Sequence, residues 1–172
     1  MNAGSFSLGV NVSGQGLSYT PANGTSSLAT TVKDGFSNTT AFGTAAGQGD
    51  LICGFTITLA ANANQTIDLY GGALLDVFGV TAPFRHLRNF AAWISSGGDS
   101  SGVTIQPGAS NPNNLWWGGT SPTKTIYPGG PGEIGGSPAG VVVSNTAKTV
   151  EFINNSSAVG VTITVYLNGA DS

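Results

Sequence analysis

Hydrophobic side chains fall at every second position through most of this chain. In SFSLGVNV, Phe6, Leu8, Val10 and Val12 alternate with Ser5, Ser7, Gly9 and Asn11. In LICGFTITLA the odd positions Leu51, Cys53, Phe55, Ile57 and Leu59 are apolar, while Thr56 and Thr58 face the other way. In GVTITVYLN, Val161, Ile163, Val165 and Leu167 alternate with Thr162, Thr164, Tyr166 and Asn168. Successive side chains on a strand point to opposite faces, so each run predicts a strand with one face on a core. Shorter strands are predicted at SLATTV, TIDLY, NFAAWIS, GVTI from 102, TKTIY, GVVV and TVEFI.

Between these runs lie TPANGTSS, AAGQG, YGGAL, SSGGDSSG, GASNPNN, WWGGTSP and PGGPGEIGGSPAG, all read as turns or loops. Gly, Pro, Asn and Ser at such spacing punctuate sandwiches and barrels. Only APFRHLRNFAAW is ambiguous: Pro83 suits a first helical turn, with Phe84, Leu87 and Ala91 on one side, yet the residues also read as a strand. The pattern predicts an all-β fold, an antiparallel β-sandwich of jelly-roll-like or Greek-key type. Residues 1–26 are expected to form an extended N-terminal arm, and 27–172 a single sandwich domain.

One layout occurs twice. NFAAWISSGGDSSGVTIQPG and KTVEFINNSSAVGVTITVYLNG each run from an apolar strand through a small polar cluster to Gly-Val-Thr-Ile. Read as a repeat, they are two antiparallel hairpins whose return strands, 102–105 and 160–163, are equivalent; the alternative is coincidence in a Val/Thr-rich chain.

Composition narrows the function. Charged residues make up 8% of the 172, against about 25% in an ordinary soluble domain, and the net charge is −3. The five scattered cations do not form a nucleic-acid surface. So few charges suit a protein that spends its life packed against neighbours, because burying a charge costs desolvation. The lone cysteine, Cys53, excludes an internal disulfide and reads as a small buried thiol. MNAGSFSLGV has no basic region ahead of an apolar one, so no signal peptide is expected, and no apolar run reaches the ~20 residues of a membrane span.

Catalytic motifs are not apparent. His86 is the single histidine and lies between Arg85 and Arg88. Nothing marks two of Asp68, Asp76 and Glu151 as an acid pair. GGDSSG and AGQGD could offer oxygens to calcium but lack regular carboxylate spacing. No cofactor and no metal is expected, and the expectation is a non-enzyme. Trp116 and Trp117, in NPNNLWWGGTSP, stand out. On a strand one would face in and the other out. An exposed tryptophan there suits a protein interface or a glycan; the alternative is that one is core and the other is covered by a neighbouring loop.

The segments IDLYGGALLDVFG, NFAAWISS, GVTIQPGASNP, TIYPGG, SPAGVVV and VEFINNSSAVGVTITVYLNG, in this order, resemble small virion proteins of tailed bacteriophages over roughly residues 50–169. The resemblance implies a structural component of capsid decoration, head-fibre or minor-tail type, made in the host cytoplasm and located in the virion. It carries over no individual functional residue. The alternating strand Phe6–Val12 and the tryptophan pair, apart from the resemblance, point to association: the expected partners are identical copies, with a trimer favoured, and a major capsid or tail protein, with Phe6, Leu8, Val10, Trp116 and Trp117 at interfaces. The alternative is a lectin-like carbohydrate-binding module using an exposed tryptophan.

Overall fold

The computed structural model describes residues 5–15, 31–42, 48–71, 73–76, 79–120, 122–130 and 132–171. The chain divides into two compact units, residues 1–40 and 41–172. Strand β1 (Ser5–Gln15), predicted by its alternation, lies beside β2 (Thr31–Phe42). The end of β2, Ala41 and Phe42, belongs to the second unit and pairs in parallel with β3 (Gln48–Gly49). The side chains of Phe6, Leu8 and Val10, and the arm boundary expected at residue 26, lie outside the described residues.

The second unit is a β-sandwich. Its strands are β4 (Leu51–Leu59), β5 (Asn64–Asp68), β6 (His86–Gly97), β7 (Val103–Pro107), β8 (Lys124–Ile126), β9 (Glu133–Val142), β10 (Thr149–Asn154) and β11 (Val161–Ala170). One sheet has the order β4-β11-β6-β9 and the other β5-β10-β7-β8, with antiparallel pairing throughout both. First strand beside last, second beside last but one, each pair on alternate sheets, is the eight-stranded jelly roll. No described residue is helical. The ambiguous APFRHLRNFAAW enters β6 at His86, because neighbours on both sides hold that strand extended.

The inward faces supply the core. Leu51, Cys53, Ile57 and Leu59 of β4 stand opposite Gly169, Leu167, Ile163 and Val161 of β11. All eight positions but Gly169 are buried apolar residues. Phe55, opposite Val165, is half-buried and packs on the rim of the cluster. Phe90 of one sheet stacks on Phe152 of the other, ring centroids 6.4 Å apart, and so joins the two layers.

The two Gly-Val-Thr-Ile segments do not close hairpins. β6 pairs with β11 and β9, while β7 pairs with β10 and β8, so each repeat carries the chain from one sheet to the other. The first crosses from the β6 sheet to the β7 sheet, and the second crosses back beside it. Both return strands bury Val and Ile and turn Thr outward: Val103, Ile105, Val161 and Ile163 are each no more than 2% exposed. The two crossovers bind each other. Gly98 N donates to Gly160 O at 3.0 Å, and Asn155 N donates to Gly102 O at 3.2 Å. Gly97 has a φ of 69°, and a Cβ there would strike the Gly160 carbonyl, so only glycine fits. Asn154, buried at the end of β10, ties the second crossover to the β4–β5 connection by donating to Val159 O at 2.8 Å and Ala60 O at 2.9 Å.

The segment expected to be a loop through PGGPGEIGGSPAG contains β9 from Glu133 onward. Its glycines and Pro138 read as punctuation, but among the described residues β9 pairs with β6 alone and is an edge strand, the place in a sheet where proline is tolerated.

Candidate binding surfaces

The catalytic candidates are dispersed. His86 opens β6 opposite Ala170 and Val142, and its buried Nδ1 has no hydrogen-bond partner among the described residues. Its sequence neighbours are occupied elsewhere: the Arg85 guanidinium lies 3.9 Å over the Tyr70 ring, and Arg88 Nη1 donates to the Ala139 carbonyl. Cys53 is fully buried, and desolvation, with the Asp76 carboxylate adding to it, pushes its thiol up to about 12. Among the described residues no three His, Cys, Asp or Glu side chains form a group able to hold a metal.

The acids of the candidate calcium loops serve the loops themselves. Asp99 accepts hydrogen bonds from Ser156 Oγ at 2.6 Å and Ser101 N at 2.8 Å, and these hold its carboxyl below the usual range. Asp50 accepts from Asp171 N at 3.3 Å, and burial together with the Asp171 charge raises its pKa.

Trp116 and Trp117 lie in a turn rather than on a strand, so the expected one-in, one-out alternation does not arise. Leu115 just before them has a φ of 50°, outside the extended conformation of a strand. Both are half-buried against the core. Trp117 meets Phe90 edge-on at 6.3 Å and donates its Nε1 to Glu133 at 2.9 Å. Trp116 rests on Gly135, whose missing side chain makes the room, and its buried Nε1 has no hydrogen-bond partner among the described residues. The pair fills the gap between the sheets on the side of β9.

The opposite side of the sandwich is formed by edge strands β4 and β5. A groove of about 540 Å³ runs past Phe55, Ile67 and Leu74 beneath the loop after β5. That loop carries two exposed large apolar side chains, Leu75 at 55% and Val80 at 60%.

The outer faces of the sheets differ in chemistry. On β5-β10-β7 the Glu151 carboxylate accepts from Asn64 Nδ2 at 2.8 Å and Gln106 Nε2 at 2.9 Å, and Asp68 pairs with Lys148 at 2.8 Å. Its charges are knit into a solvent-facing polar network. On β4-β11-β6 the outward positions are Gly54, Thr56, Thr58, Thr162, Thr164, Tyr166, Ala91 and Trp93, with no acid or base. There Trp93 stacks on Tyr166, centroids 5.5 Å apart and planes 18° from parallel. Sequence reading picked out Trp116 and Trp117 and missed this pair. Its two members lie on neighbouring strands but far apart in the chain, and the alternation of β11 was the sole clue that Tyr166 faces out.

No family model matches the chain, and neither a similar characterised protein nor a similar solved structure is found.

Proposed function

We propose that the chain is a non-enzymatic structural protein of a tailed-phage particle, a capsid decoration protein whose sandwich sits on the particle surface. The observation that carries this reading is the pairing of first strand with last in two four-stranded sheets, the jelly roll that capsid and lectin domains share. The charge-poor composition supports it, since close contact with neighbouring subunits then buries few ions. The apolar loop at Leu75 and Val80 is the surface offered to the major capsid protein. Identical copies, as a trimer, associate through the stretch Phe6–Val12 of β1, an edge strand able to pair with a neighbour's sheet edge.

The test is co-sedimentation of the tagged protein with phage particles, with gold labelling of the tag in electron micrographs. Decoration of heads is expected, and Leu75→Asp with Val80→Asp should abolish it while the trimer persists. Deleting residues 1–14 should break the trimer and leave the sandwich folded. Failure of the intact protein to associate with either heads or tails overturns the reading.

A further inference from the structure

We propose that the outer face of β4-β11-β6 binds a neutral glycan, with Trp93 and Tyr166 stacking on a sugar ring and the surrounding threonine hydroxyls bonding its oxygens. The argument starts from what lies beside the aromatic pair. In register across the sheet, Tyr166 sits between Gly54 and Ala91, the two smallest residue types. A Cβ on Gly54 would come within 2.8 Å of Tyr166 Cε1, so the phenol ring leans flat against the β4 backbone where any side chain would lift it. Trp93 then stacks against Tyr166, and both remain half-exposed.

Hydroxyls flank the rings. Thr164 stands between Thr56 and Trp93, and Thr162 between Thr58 and Ser96. The hydroxyls of Thr58 and Thr162 are 3.4 Å apart, and Thr56 and Thr58 are exposed. Beyond the rings Asn89 Nδ2 donates to Asn168 Oδ1 at 3.1 Å, and Asn168 Nδ2 reaches Leu51 O at 3.4 Å. This buried amide pair fixes the ends of β6 and β11, on which the aromatic residues stand.

The chemistry of such a face selects its ligand. A sugar ring presents apolar C–H groups on one side and hydroxyls at its edge, matching an aromatic ring bordered by hydroxyls that donate and accept. With no ionised group on these positions, nothing compensates the charge of an anionic or cationic partner, so the glycan is an uncharged one. An aliphatic protein surface would leave the threonine hydroxyls without partners, a cost that the rows of Thr56, Thr58, Thr162 and Thr164 place against it. The proposal does not depend on the virion reading.

The experiment is a titration of the full chain with maltohexaose, cellohexaose, chitohexaose and mannohexaose, followed by the indole N–H signals in two-dimensional NMR. At least one sugar should move the Trp93 signal saturably, leave Trp117 in place and keep its affinity in 0.5 M salt. Trp93→Ala should weaken binding by about tenfold or more. Thr56→Glu, at an exposed position that leaves the fold intact, should do the same. If no sugar moves Trp93, or if binding survives both substitutions in folded protein, the proposal is overturned. It is equally overturned if the face instead joins two copies, seen as a concentration-dependent dimer that Thr56→Glu dissolves without any sugar response.

Discussion

The hydroxyl of Ser156 donates to the carboxylate of Asp99 across 2.6 Å, joining two loops that the sequence separates by 57 positions. Ser156 is 1% exposed, and its oxygen also accepts from the amides of Ala158 and Val159. Ser156→Ala therefore uncouples the two sheet crossovers and loosens the second. Its melting temperature should fall by about 2–4 °C for each kcal/mol lost. Heating curves followed by circular dichroism check this, and an unchanged midpoint would mean that the loops do not depend on the bond.

Acid should act through the same contact. The Ser156 hydroxyl and the Ser101 amide lower the pKa of Asp99 in the folded state. At Asp68, burial works upward but is outweighed by the Lys148 hydrogen bond and the amides of Tyr70 and Gly71. Carboxyls lowered in this way contribute stability that is complete above the unfolded value, about 3.9, and is lost as pH falls through the folded one. Asp99→Asn should therefore flatten the decline of stability below about pH 4 in urea titrations taken at a series of pH values.

Asp50 carries the opposite sign. Burial and the charge of Asp171 raise its folded pKa, so its contribution is present at low pH and is lost as pH rises through that raised value. Asp50→Asn keeps an oxygen for the Asp171 amide and removes the repulsion. The variant should be more stable than the parent at pH 7 and no more stable at pH 3. A variant less stable at pH 7 would refute the assignment.

In the core, Phe152 is 1% exposed and stacked on Phe90, whereas Phe55 is half-buried at the groove. Phe152→Ala should cost about 3–5 kcal/mol, as expected for a buried aromatic residue. Phe55→Ala should cost clearly less, because its site already opens to solvent. Chemical denaturation of both variants gives the comparison. Equal losses would place Phe55 deeper than the groove allows.

Cys53 supplies a test of burial that needs no substitution. Its thiol, pushed up to about 12 and fully covered, is un-ionised at neutral pH. A thiol reagent should modify it only as fast as the protein opens, and addition of urea should release the reaction. Modification at the rate of a free thiol would contradict the inward face of β4.

Strands were legible in the sequence because alternation reports directly which side chains share a face. Their partners were not. A short polar loop after an apolar strand serves a hairpin or a crossing to the opposite sheet equally well, and Val103–Ile105 alternates identically in either case. β9 was hidden by Gly135 and Gly136, residues that weaken a strand; Gly135 is required there because Trp116 lies against it. The tryptophan pair was conspicuous in the sequence because it is contiguous. Trp93 and Tyr166 become neighbours only after β6 and β11 pair, and the register that joins them is set by the whole sheet.

The position of β11 constrains how the molecule is made. Val161–Ala170 is the last strand in order yet lies between β4 and β6, donating and accepting bonds on both edges. On a ribosome, β4, β6 and β9 emerge with β11 still missing, and β4 stands without its neighbour in the sheet until β11 arrives. The nascent chain must wait with two strand edges open, then close by contacts that span most of the unit, a slow and concentration-sensitive step. Protection of that waiting state, by a chaperone or by low synthesis rate, is therefore a requirement set by topology, and chains stalled before residue 161 should aggregate where the finished protein does not.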